Sequence, residues 1–108
     1  MSNTNFALDY DKASDTYNLR ALKPVLADHC TEFRRLLDTV AGRNPHRVIL
    51  DLSEIPMIVS AALHVLLDFR PSLDREQLVI RCAHPDLAAT LRLCYLDIIY
   101  QLETETHA

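Results

Sequence analysis

Apolar residues fall at every second position in two short stretches near the start of the chain. Phe6, Leu8 and Tyr10 alternate with Ala7 and Asp9, and Tyr17 and Leu19 alternate with Asn18 and Arg20. A period of two puts one set of side chains on one face of a pleated strand. The mostly polar residues 11–15 are enough to join the two stretches, so an antiparallel hairpin with one buried face is expected. From Pro24 the period changes. Proline suits the first turn of a helix, and Val25, Leu26, His29, Phe33, Leu36, Leu37 and Val40 recur at helical spacing, with Asp28, Glu32, Arg34 and Arg35 largely elsewhere on the cylinder. Gly42 is expected to end this helix in a left-handed cap, ahead of a polar turn through Pro45.

Residues 48–52, Val-Ile-Leu-Asp-Leu, show little alternation, as in a strand central to its sheet or buried on both faces. Ser53-Glu54-Ile55-Pro56 leaves that strand. Ser60 is then placed to cap a helix over residues 61–70, which Pro71 stops. Residues 77–82 read as another strand. His84-Pro85-Asp86 opens a third helix with Leu87, Leu91, Cys94 and Tyr95 on one face, and Ile98-Ile99-Tyr100 suits a last edge strand. Residues 103–108 read as a frayed tail. The order is β-β-α-β-α-β-α with a short terminal strand. Strand–helix–strand units demand right-handed crossovers and parallel pairing, and the opening hairpin makes the sheet mixed. The chain is expected to be one α/β domain over residues 1–108, a mixed sheet with helices packed against it.

Composition narrows the function classes. The 108 residues, 49% of them apolar and 24% charged, suit one soluble globular domain. A net charge of -4 argues against nucleic acid, since phosphate binding needs a basic surface. Arg34-Arg35 and the Arg43 to Arg47 stretch are small clusters, diluted by Glu32 and Asp38. The first five residues carry no basic-then-apolar signal, so no signal peptide is expected. The longest apolar run, residues 55–67, is broken by Pro56, Ser60 and His64 and falls short of the roughly 20 residues a bilayer span needs, so no membrane insertion is expected. Cys30, Cys82 and Cys94 lack a paired spacing, which favours reduced, packed thiols and a cytoplasmic location.

Little in the chain suits catalysis or a metal. His29-Cys30 are neighbours that point to different sides of a helix, and Cys82-x-His84 is a two-ligand fragment where structural zinc needs four. It reads as a packed thiol and an exposed imidazole, and no cofactor or metal is expected. With one glycine there is no phosphate loop. Ser60 and His64 lie one helical turn apart with Asp68 a further turn on, but side chains four apart on a helix project in parallel and seldom converge as a triad. A capping serine and a surface histidine describe them as well, so no catalytic residue is assigned. The apolar connection before this helix is harder to place. Met57 is expected in the core, while Ile58 and Val59 suit burial and an exposed docking patch equally.

These pieces together resemble a STAS domain, the fold of bacterial anti-sigma-factor antagonists, over nearly the whole chain. Val48-Ile49-Leu50-Asp51-Leu52-Ser53 is similar to the family's central strand and its D-L-S turn. Residues 57–66 match in frame the apolar pair and D-S-S-G-L-G helix start, His84-Pro85-Asp86 resembles a Ser-Pro-Glu start, and Leu96-Asp97-Ile98-Ile99 resembles the Gly-Leu-Asp ending. The resemblance implies a partner-switching module of transcription control, non-catalytic, which binds an anti-sigma-factor serine kinase or a response regulator. In regulated members the first serine of D-S-S-G is phosphorylated by the partner kinase and restored by a PP2C-type phosphatase. That serine corresponds to Ser60, with Met57, Ile58, Val59, Ala61 and His64 around it as the partner-binding surface. Val59 stands in place of the family aspartate, Ala61 of the second serine, Ala62 and His64 of the glycines, and Tyr95 of the glycine before Leu96. These replacements also suit the family's other role, a constitutive accessory subunit of a transport ATPase or membrane transporter. Self-association as a homodimer, through the apolar loop or an open sheet edge, is a further reading.

Overall fold

The computed structural model describes residues 5–25, 27–68 and 76–104. The hairpin forms where the alternation places it: β1 (Phe6–Asp11) pairs antiparallel with β2 (Thr16–Ala21), from Phe6 against Ala21 to Asp11 against Thr16. Its turn is held by short acids. The Asp11 carboxylate accepts from the Ala13 N–H and the Ser14 hydroxyl, and Asp15, at φ 51, accepts from the Tyr10 hydroxyl at 2.8 Å and the His46 N–H at 2.9 Å. Asn and Asp tolerate the left-handed region better than other side chains.

From β3 onward every strand pairs parallel to its predecessor. β3 (Arg47–Asp51), β4 (Leu78–Cys82) and β5 (Gln101–Thr104) complete a sheet of order β1-β2-β3-β4-β5. Crossovers that always advance one strand in one direction, each right-handed, put all their helices on one face. Those helices are α1 (Cys30–Gly42), α2 (Ser60–Asp68), α3 (Pro85–Leu93) and the four-residue α4 (Leu96–Ile99). The burial agrees. One apolar cluster joins Leu19, Leu50 and Ile80 of the sheet to Phe33 and Leu37 of α1, Leu66 of α2, Leu91 of α3 and Leu96 of α4. The other sheet face carries Arg20, Asp51 and Arg81.

Several boundaries differ from the sequence reading. Helix α1 starts at Cys30, after a 3-10 turn over Ala27–His29, so Pro24 and Val25 precede it. Val25 instead forms a parallel bridge with Ile58; Leu26 lies outside the described residues. Gly42 is the last helical residue, and the left-handed conformation falls two positions later, on Asn44 at φ 46. Leu8 and Tyr10 share the face of Phe6 but are exposed, because β1 is an edge strand that outreaches the helices. Residues 98–100 are not a strand: α4 ends at Ile99, and Tyr100 is wholly buried with its hydroxyl donating to Leu66 O at 2.8 Å. The edge strand follows as β5, which takes in Glu103 and Thr104 of the expected tail; residues 105–108 lie outside the described residues. So do Phe69, Arg70 and Pro71, where the end of α2 was expected. Tyr95 is exposed between α3 and α4 at φ 62, off the buried face that Leu87 and Leu91 share.

Candidate functional site

In open α/β sheets, binding sites gather beyond the carboxyl ends of the parallel strands. Here the chain leaving β3 makes that edge. Asp51 ends the strand by turning its carboxylate back to accept from the Ser53 N–H at 3.0 Å and the Ser53 hydroxyl at 2.5 Å. Leu52 and Ile55 then sink into the core, and the Ile55 N–H reaches Leu52 O at 3.2 Å. Between them Glu54 stays at the surface, paired with Arg20 at 3.2 Å. The polypeptide next runs beside Val25, through the Val25–Ile58 bridge and a bond from the Val59 N–H to Val25 O at 3.2 Å.

That bridge decides which apolar side chains face out. Met57 is 49% exposed, whereas Ile58 is 6% exposed. The first corrects the sequence reading, since Met57 is not a core residue; the second decides for burial between the two readings open for Ile58, which presents almost nothing to a partner. Val59 is half-buried against the core. No periodicity could have revealed this, because a bridge between two loops is a tertiary contact between segments more than thirty residues apart.

Helix α2 begins at Ser60, one residue before the expected start. The Val59 carbonyl accepts from the N–H groups of Ala62 at 3.0 Å and Leu63 at 3.2 Å, which makes Val59 the capping position and Ser60 the first helical residue. A valine side chain cannot satisfy the orphan N–H groups of a first turn as serine would. Ser60 is therefore not the cap. It is exposed, as are Ala61 and His64, while Ala62, Leu63, Val65 and Leu66 face the core. The result is a small rim, formed by Met57, half-buried Val59, Ser60, Ala61 and His64 at the positive end of a nine-residue helix. Asp68 is committed elsewhere: it accepts from Arg34 of α1 at 2.7 Å, a contact that draws its carboxylate toward α1.

The other sequence candidates stay apart from this rim. Cys82 is buried at the end of β4, its thiol donates to His84 O at 3.3 Å, and burial pushes the thiol up from its ordinary range. His84 is exposed before α3. Among the described residues no group of three or more His, Cys, Asp or Glu side chains could hold a metal, and no helix is long and apolar enough to cross a membrane.

Comparison with known proteins follows the geometry. An anti-sigma factor antagonist from Mycobacterium paratuberculosis superposes with a TM-score of 0.78 at 15% identity, over 90% of this chain and 82% of that one. The unphosphorylated form of the anti-sigma factor antagonist SpoIIAA gives a TM-score of 0.74 at 12% identity, over 94% of this chain and 89% of the other. An uncharacterized Shewanella loihica protein with a SpoIIAA-like fold gives 0.57 at 11% identity, over 97% and 88%. At such identities the likeness is one of fold. No curated protein matches the sequence. The model of the STAS domain family matches residues 7–108, and the chain therefore belongs to the STAS domain family.

Proposed function

We propose that this chain is a non-catalytic regulatory module that docks on a protein partner through the rim at the start of α2, and that a partner serine kinase switches it by phosphorylating Ser60. The observation that carries the reading is that Ser60, the first residue of α2, is exposed, with exposed Met57, Ala61 and His64 around it. A phosphate there would add about -1.5 to -2 charges beside the helix N-terminus, which tolerates an anion without disturbing the fold. The same charge desolvates badly against an apolar partner surface. Docking is lost and the domain stays folded. The partner is a protein of the anti-sigma-factor kinase or response-regulator kind, and a PP2C-type phosphatase restores the hydroxyl.

The test is co-purification from the native cell with three baits: the wild type, Ser60→Ala and Ser60→Glu. The first two are expected to retain a common partner, and Ser60→Glu to bind it at least about tenfold more weakly, some 1.4 kcal/mol. Phosphopeptide mapping of the wild type is expected to find phosphate on Ser60. A partner held equally by all three baits, with Ser60 unmodified, rejects the switch. An ATPase as that partner would select the second reading, a constitutive accessory subunit of a transport complex. Val59 and Ala61 favour that reading, because they remove the polar neighbours of the regulated serine in the family pattern.

A further inference from the structure

Four charged residues in register cross the sheet face that, among the described residues, carries no helix. Arg20 of β2 pairs with Asp51 of β3, and Asp51 with Arg81 of β4. Arg81 in turn pairs with Glu103 of β5. Strand alternation sets all four opposite the core-facing Leu19, Leu50, Ile80 and Leu102. Their signs run plus, minus, plus, minus. Two residues earlier on each strand lies a second row, Asn18, Ile49, Val79 and Gln101, which reads amide, apolar, apolar, amide. Val79 is already buried at 2% exposure, whereas Ile49 beside it is half-buried.

The charged row complements its own reverse. Consecutive strands are about 4.8 Å apart, so each row spans roughly 14 Å. Consider a second copy laid face to face, turned by half a revolution about an axis parallel to the strands. Arg20 then faces the second copy's Glu103, and Asp51 faces its Arg81. In the other row Asn18 stands opposite Gln101 and Ile49 opposite Val79; Val79 is 2% exposed and presents almost nothing, so the contact there rests on half-buried Ile49. Turned about an axis across the strands, the same two faces would set like charge on like charge. A charge row that fits itself in one orientation and repels itself in the other is what a closed, two-fold contact between identical chains requires.

One further observation fits this arrangement. Arg81 meets Glu103 through Nε at 2.9 Å, and Arg20 meets Glu54 through Nε at 3.2 Å, all four side chains being about half exposed. A guanidinium has four N–H donors beyond Nε, so these contacts leave capacity for a second carboxylate. We infer that the helix-free face of the sheet binds a second copy of this chain, head to head about an axis parallel to the strands. The flat footprint, roughly 14 Å by 16 Å, is well below the ~800 Å² that each partner of a stable complex buries, so the dimer is weak and forms only at high concentration. It leaves the rim of α2, on the opposite layer, open.

Sedimentation of the full chain tests this, over roughly 20 μM to 1 mM, first in dilute salt where the Debye length is near 30 Å and then in about 1 M salt, where it falls to about 3 Å. The weight-average mass is expected to climb toward that of a dimer in the first case and to fall back in the second. Arg20→Glu alone and Glu103→Arg alone each set like charges opposite one another and are expected to remain monomeric. An equimolar mixture of the two restores every opposite-sign facing pair, and it is expected to associate as the wild type does. Ile49→Lys is expected to abolish association with the circular dichroism spectrum unchanged. A wild type that stays monomeric throughout overturns the inference. So does a mixture that associates no better than either variant alone, or a dimer indifferent to Ile49→Lys.

Discussion

Tyr95 sits at φ 62 and ψ 21, between the last turn of α3 and the first residue of α4. For an L-residue that conformation brings Cβ close to the following carbonyl and costs roughly 1–2 kcal/mol, which glycine avoids. Tyr95 is 65% exposed and so recovers little by packing. Tyr95→Gly is therefore expected to stabilise the fold by up to about 1 kcal/mol after the added chain entropy of glycine, and Tyr95→Val to destabilise it, by urea denaturation. Cys82 gives a pH-dependent counterpart. Burial raises its thiol above the ordinary 9.0. Well below that pH, folded and unfolded chains both hold the proton and stability does not respond. As the pH climbs through 9.0 the unfolded chain releases its proton first, so stability falls until the folded thiol also titrates. The denaturation midpoint is expected to be flat through neutrality and to fall on the alkaline side. In Cys82→Ala, which is destabilised at every pH by its cavity, that alkaline fall is expected to be shallower.

Strand β1 shows how an element can be read correctly while its burial is misjudged. The alternation of Phe6, Leu8 and Tyr10 does mark one face, and that face does point toward the helix layer. Whether a side chain on it is covered depends on how far α1 extends over the sheet edge, which the sequence of β1 does not contain. Only Phe6 is reached. Its ring stacks on Phe33 of α1 with centroids 5.6 Å apart and planes 9° from parallel. Phe6→Ala is accordingly expected to cost about 3–4 kcal/mol, and Leu8→Ala less than about 1 kcal/mol, with thermal and chemical denaturation as the readout. The same limit explains the misplaced start of α1. Pro24 and Val25 fit a helical first turn by type, but Val25 gains more from burial and its bridge to Ile58 than from an added turn. It also explains α4: Ile98 and Ile99 have β-branched side chains that suit a strand, yet burying the large ring of Tyr100 beneath α2 favours a short helix before β5.

At the scale of the whole molecule the sequence was most informative, because topology follows from element order and handedness rather than from any one boundary. A hairpin followed by strand–helix units leaves few arrangements once crossovers are right-handed and consecutive strands adjoin, and the sheet takes the simplest of them. The rim was legible in part. Ser60 could be placed at a helix start from its neighbours, whereas the exchange of Met57 for Ile58 in the core depended on the loop containing Val25. The sheet order also predicts how stability is distributed. Strand β3 is flanked by β2 and β4, and Val48 and Leu50 are wholly buried. β1 and β5 each have one neighbour, and beyond Phe6 β1 has little cover. Amides open either by local fluctuation at exposed edges or by unfolding of the cooperative core. Native-state hydrogen exchange on a dilute sample is thus expected to find the slowest amides in β3 and β4, at the free energy of global unfolding, and fast exchange in Leu8 to Tyr10. Raising the denaturant should accelerate the β3 amides strongly and the outer β1 amides hardly at all, since only the former expose the whole core when they open. Equal protection in β1 and β3 would show that something beyond Phe6 holds the hairpin to the sheet.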